Sequence, residues 1–177
     1  MKLRSFLPSS AVACMLALCA QAHETPAVPA TAPAEIAAPG TPAAGREIDP
    51  AAADAVKAVD AFSNAIKAGR LEEAGRLLDP KVLILESGSS ERDRATYLRE
   101  HAIEDAVFLK SAQVQQRYRQ AHAVGDVAWV CTESVIQTVH DNEPLRLLST
   151  ETMVLRRTAQ GWRIVHIHWS SHKDRAS

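Results

Sequence analysis

Cysteine is scarce and poorly placed for cross-linking. Of three cysteines, Cys14 and Cys19 fall in a leading stretch read below as an export signal, which leaves Cys131 alone in the folded part. No disulfide within the domain is then possible, whatever the redox compartment. Cys131 sits in an apolar run, where a thiol is buried and inert rather than nucleophilic. An excess of one charge is missing too: 20 Lys and Arg face 21 Asp and Glu, for a net of −1. With no basic face, and no basic residues interleaved with aromatics, nucleic acid is excluded as a partner. Glycine is sparse, and the stretch around Gly88 lacks both the lysine and the spacing of a phosphate cradle. No apolar run is long enough to hold a bilayer as a stable anchor, and no internal repeat is present.

What is there begins with a leader. Lys2 and Arg4 supply positive charge, residues 11–20 an apolar run, and Ala20-Gln21-Ala22 a small-x-small cleavage site. Residues 1–22 therefore read as a secretory signal peptide, with a periplasmic or secreted mature protein starting at His23. Lipoprotein processing at Cys19 is the disfavoured alternative, because Leu18 is not the small residue that such cysteines follow. Residues 23–48, rich in Ala and Pro and almost devoid of large apolar side chains, cannot bury enough surface to offset ordering and read as a disordered tether.

The folded part is predicted over 49–175. Asp49-Pro50 is an N-cap followed by a first-turn proline. Ala55, Val59, Phe62 and Ile66 then recur at helical spacing until Gly69 stops the helix. Leu71, Ala74, Leu77 and Leu78 mark a second short helix ended by Asp79-Pro80. A strand over 81–86 leads into a Gly-Ser loop at 87–90. Asp93 caps a third helix running to about Ala106, with Tyr97, Leu98, His101 and Ala102 on one side and the end at 107–109 open to strand. Four strands follow, at 111–122, 127–139, 145–157 and 161–172, joined by short turns. Long consecutive strands make an antiparallel meander. Helices first and a sheet afterwards predict an α+β domain with the helices packed on one sheet face.

The last strand, Gly161-Trp162-Arg163-Ile164-Val165-His166-Ile167-His168-Trp169-Ser170-Ser171-His172, organises the functional reading. Strict alternation puts Trp162, Ile164, His166, His168 and Ser170 on one face and Val165, Ile167 and Trp169 on the other. One face would then line a polar cavity, and the other would be an exposed apolar stripe unless a partner covers it.

This closing stretch, with Ser149-Thr150-Glu151-Thr152 on the strand before it and Tyr97-Leu98-Arg99-Glu100-His101 on the third helix, resembles the nuclear transport factor 2-like superfamily. The similarity is nearest to its SnoaL-like branch and to the association domain of calcium/calmodulin-dependent kinase II. The resemblance implies a cone: a curved antiparallel sheet wrapped around the N-terminal helices, open at one end, as in cystatin-like folds. It also implies a homodimer through the convex sheet face, which alternation assigns to Val165, Ile167 and Trp169. Members include polyketide cyclases, ketosteroid isomerase, dehydratases and non-catalytic assembly modules, so the fold alone does not choose among them. The kinase domain lines its pocket with arginines. One of those positions falls at Cys131, so that domain's acidic-ligand specificity is not carried over.

The residues that could do chemistry leave three readings open for His166 and His168, which lie roughly 7 Å apart along the strand. They could carry protons, ligate a metal ion with His101 or Glu86 as a third ligand, or hydrogen-bond to neighbours and shape the cavity. No second ligand pair at fixed spacing supports a metal, and no cofactor is called for. Glu86, at the end of an apolar strand, becomes a usable base if it faces inward. Glu86, His168 and His101 are thus the candidate catalytic residues, and Tyr97, His166, Glu151 and Trp162 the candidate ligand contacts. Trp129 and Trp169 read as sheet or interface packing. The expected function is binding of a small, partly apolar molecule, with cofactor-free acid–base chemistry next to a carbonyl if it is an enzyme: isomerisation, dehydration or cyclisation. The alternative is a non-catalytic dimerisation, assembly or sensing module.

Overall fold

The computed structural model describes residues 45–140 and 142–174. The expected signal peptide, Cys14, Cys19 and the expected tether up to residue 44 lie outside the described residues. The tether's last four residues do not: Gly45–Ile48 form an edge strand, β1, parallel to β4, which is Gln113–Val124. Asp49 then caps a short 3-10 turn, Pro50–Ala52, its carboxylate accepting from the Ala51 N–H at 2.9 Å. Helix α1 spans Ala53–Lys67. Its stripe of Ala55, Val59, Phe62 and Ile66 is buried, and Gly69 follows at φ +69°, where a Cβ would be strained. Helix α2, Leu71–Leu77, passes directly into strand β2, Leu78–Glu86.

Beyond β2 the predicted loop is a hairpin. Ser87 and Gly88 both take positive φ, so two residues reverse the chain. Ser89–Glu91 return as β3, pairing Glu86 with Ser89. Asp93 caps α3, Arg94–Arg99, by accepting from the Thr96 N–H at 2.8 Å. The third helix is not continuous: Glu100, at φ −120° and ψ −95°, interrupts it, and α4 runs over His101–Ser111. The segment 107–109 is therefore helical, and Tyr97 and His101 belong to different helices.

Strands β5 (Val127–His140), β6 (Glu143–Thr158) and β7 (Gly161–Lys173) complete the meander begun by β4. Together with β2 and β3 they form one seven-stranded sheet in the order β1-β4-β5-β6-β7-β2-β3. The meander is antiparallel as expected. The flanking pairs β1–β4 and β2–β7 are parallel, so the whole sheet is mixed. The helices lie on the sheet's inner face, with α1 against β5, β7 and α4.

Two bulges set which side chains look inward. In β4 the register against β5 shifts between Gln116 and Tyr118. Arg117 is the extra residue, so Gln116 and Arg119 both reach the inner face. In β7 the register shifts between Ile164, opposite Leu155, and His166, opposite Val154. Val165 is the extra residue, and a bulge of one residue exchanges the two faces of everything beyond it. Trp162 and Ile164 are buried before the bulge; Ile167 is buried after it, and His168 is exposed.

Candidate functional site

Successive rungs across the inner face change character in order. The deepest is hydrocarbon: Ala121, Val130, Met153, Ile167 and Ile84 are Cα partners in turn and all buried. The next runs Arg119, Thr132, Glu151, Trp169 and Glu86 across β4, β5, β6, β7 and β2. The third is Gln116, Ser134, Ser149 and Ser171, and the fourth begins Val114, Ile136 and Leu147. These three upper rungs line a cavity of about 380 Å³. Its opposite wall comes from α1 and α4, through Phe62, Ile66, Phe108 and Leu109, with Asp105 beside them.

The charged rung is tied together at one end. Arg119 is 8% exposed. Its Nε–H donates to Thr132 Oγ1 at 3.1 Å and its Nη1 to Asp60 on α1. The Trp169 indole N–H donates to Glu151 Oε2 at 2.8 Å. Burial pushes the Glu151 carboxyl above its ordinary range, while the indole donor, Arg119 and Thr132 oppose that shift.

The other end is short of cations. Burial raises Glu86 to about 7, and the nearby carboxylates of Asp105 and Glu91 add to the effect against His101. Burial likewise raises Asp105 to about 6, against the Tyr97 hydroxyl, which donates to its Oδ2 at 2.8 Å. Tyr97 itself is fully buried, its ring tilted against Phe62 and Trp169, and burial drives its phenol upward. His101 places Nδ1 against the buried Glu91 carboxylate.

Of the expected site residues, the fold brings Glu86 and Glu151 into the cavity. Tyr97 supports it from behind through Asp105. His101 is held at its edge by Glu91 and does not line it. His166 and His168 are a correction: the Val165 bulge turns both to the outer face. There the His166 Nδ1–H donates to the Leu83 carbonyl at 2.9 Å, which fixes its tautomer. Trp162 is a second correction. It lies in the core at 5% exposure, with the Arg157 guanidinium 4.4 Å over its ring. The bulge also overturns the expected dimer stripe, because Ile167 is core and Trp169 lines the cavity. The outer face instead carries Trp129, stacked near His122, with Cys131 and Val154. The third-ligand idea fails with the histidines, and among the described residues no three His, Cys, Asp or Glu side chains are grouped to hold a metal ion. Among the described residues no helix is long and apolar enough to cross a membrane.

Asp105 and Arg119 were not among the candidates. Asp105 lies one helical turn beyond His101, a spacing that would have found it. Arg119 sits in Gln115-Gln116-Arg117-Tyr118-Arg119-Gln120, where no apolar alternation marks a face.

A family model described as a SnoaL-like domain matches residues 56–173. Among solved structures, a candidate ketosteroid isomerase from Shewanella frigidimarina NCIMB 400 is 29% identical over 70% of this chain and 99% of that one, with a TM-score of 0.64. The association domain of C. elegans CaMKII is 20% identical, covering 66% and 92%, at 0.54. A candidate dehydratase of the NTF2-like family from Streptomyces avermitilis is 20% identical, covering 70% and 95%, at 0.57. No curated protein matches.

Proposed function

The chain belongs to the SnoaL-like domain family, and from that premise we propose that its cavity binds a small, partly apolar molecule and moves a proton at a carbon next to a carbonyl. The observation that carries this reading is the carboxyl pair Glu86 and Asp105, both lining the cavity and raised to about 7 and about 6. Each carboxyl loses its proton close to neutrality, so each can serve there as an acid or as a base. Glu86 as carboxylate takes the proton from carbon, and the pair returns one to carbon or to a leaving oxygen. Isomerisation, dehydration and cyclisation all use these two steps. Arg119 donates two hydrogen bonds, to Thr132 and Asp60, from five N–H donors, which leaves donors for a developing oxyanion. Tyr97, expected as a ligand contact, and His101, expected as a catalytic residue, are recast as supports for Asp105 and Glu91.

The likeness to a candidate ketosteroid isomerase, at 29% identity against 20% for the kinase association domain, supports this chemistry over a purely structural role. Export to the periplasm or medium, and pairing of two copies through the outer sheet face around Trp129 and Val154, belong to the same proposal. Mass spectrometry of the mature amino terminus and sedimentation of a Trp129→Ala variant test them. The chemistry is tested by deuterium exchange at the α-carbons of a panel of cyclic ketones in D₂O. Exchange by the wild type that is lost in Glu86→Gln is the expected result. Equal rates with both proteins would favour the assembly-module alternative.

A further inference from the structure

Glu86 and Asp105 are carried by different elements. Glu86 ends β2, whereas Asp105 belongs to α4, which the break at Glu100 uncouples from α3. Hydrocarbon anchors α4 poorly. Its one buried residue is Ala102, and Ile103 and Val107 are 50% and 71% exposed. Its main packing is against α1 and α3, and Asp105, Phe108 and Leu109 face the cavity rather than a core. Helix α1, by contrast, buries six residues. A short set of polar contacts holds α4 instead. At its far end Lys67 of α1 donates to the Ala112 carbonyl at 2.9 Å, and Ser111 Oγ lies 3.4 Å from Thr138 Oγ1. At its near end Tyr97 of α3 donates to Asp105, and His101, the first residue of α4, meets the buried Glu91 of β3.

We infer that Glu91 and His101 are a positioning pair: they grip the first turn of α4 from the β2–β3 hairpin and so set Asp105 beside Glu86, and without that grip α4 swings outward about Glu100. This assembly rests on the reading of Glu86 and Asp105 as the groups that move the proton, and adds what brings them together. Both ends of the grip are close to the acids they would place. Glu91 pairs with Ile84, two residues before Glu86, and His101 is one helical turn from Asp105, about 6 Å along the axis. Glu86, Glu91, Tyr97, Glu104 and Asp105 surround this end of α4 from β2, β3, α3 and α4 itself. Arg99 and Glu100 pair with each other at the break, and Lys67 from α1 stands at the opposite end. Removing the imidazole has two consequences of opposite sign, which separates position from charge. The imidazole lowers the Glu86 carboxyl, so its loss by charge alone pushes Glu86 above about 7. If α4 moves, Glu86 loses burial and the nearby Asp105 charge together, the two largest causes of its rise, and falls toward 4.5.

Carboxyl titration of Glu86 by ¹³C detection, with hydrogen exchange of the α4 amides, tests this on the wild type, His101→Ala and His101→Gln. In His101→Ala the Glu86 midpoint falls from near 7 toward 4.5. The amides of 101–111 then exchange at least about tenfold faster, while those of 53–67 keep their rate. His101→Gln, whose amide still donates to Glu91, holds the midpoint at or above 7 and keeps the slow exchange. Either a midpoint in His101→Ala that stays near 7 or rises, or unchanged exchange in α4, overturns the positioning role. If His101→Ala does not fold, Glu91→Leu carries the exchange measurement, with the same acceleration expected and unchanged rates overturning. Deuterium exchange into cyclic ketones reads the parent proposal separately. Its loss in Glu86→Gln, with α4 unmoved in His101→Ala, leaves the proton-transfer reading standing and removes the positioning pair alone.

Discussion

Glu151 and Glu86 occupy the same rung on either side of Trp169, yet the fold has given them opposite employment. Glu151 receives the indole N–H and lies near Arg119, which Asp60 and Thr132 hold in place. It is a member of a closed network, and its place is structural. Glu86 has the same side chain and the same inward direction, but its near neighbours are Asp105 and Glu91, and its carboxyl is pushed to about 7. What separates them is the presence of a cation and a donor within reach. A carboxyl left without either in a half-buried hollow is available to take and give protons near neutrality.

The comparison breaks first at Arg119. Replacing it with Met leaves the half-exposed Asp60 and the buried Glu151 without their cation, and urea unfolding registers a loss of about 1 to 3 kcal/mol. A loss below about 1 kcal/mol would class the pair with solvent-screened surface bridges and dissolve the contrast. Trp169→Phe keeps the ring and removes the donor from Glu151, for a loss of about 1 to 3 kcal/mol in the same assay.

At Glu86 the expected effect is smaller and of opposite sign. Its folded pKa of about 7 lies above the ordinary value of 4.5, so folding favours the protonated form. The stability this contributes is fully present below about pH 4.5 and is lost as the pH rises through 7. Asp105 adds the same trend between 3.8 and about 6. The wild type therefore unfolds at a higher urea concentration at pH 5 than at pH 8. Glu86→Gln flattens that fall and is the more stable protein at pH 8. A wild type more stable at pH 8, or a variant with an unchanged slope, would contradict the assignment. The smallest effect belongs outside the hollow: His168→Ala changes stability by no more than about 0.5 kcal/mol, while Ile167→Ala, one residue away on the inner face, costs about 2 to 5 kcal/mol.

That last pair shows where sequence ceased to be a guide. The helix stripe, the caps at Asp49 and Asp93 and the four long strands were legible, because each is written in local spacing. The two bulges were not. Val165 looks like any β-branched strand residue, and only its pairing with β6 reveals that it is supernumerary. Alternation counted straight through it delivered His166 and His168 to the cavity and Trp169 to the surface, the reverse of the fold. Arg117 does the same in β4 and brings Arg119 inward from a stretch with no apolar phase to read. The break at Glu100 likewise turned one expected helix into two. Glu86 and Glu151 were found because no bulge separates them from the apolar residues that fix their strands' phase.

The contrast between the two glutamates rests on the protonation of Glu86 in the folded protein. A ¹³C-detected titration of the side-chain carboxyl, assigned by comparison with Glu86→Gln, reads it directly. A midpoint near 7 is the expected result; a midpoint near the ordinary value of 4.5 would show that Glu86 is no different from a solvated carboxylate.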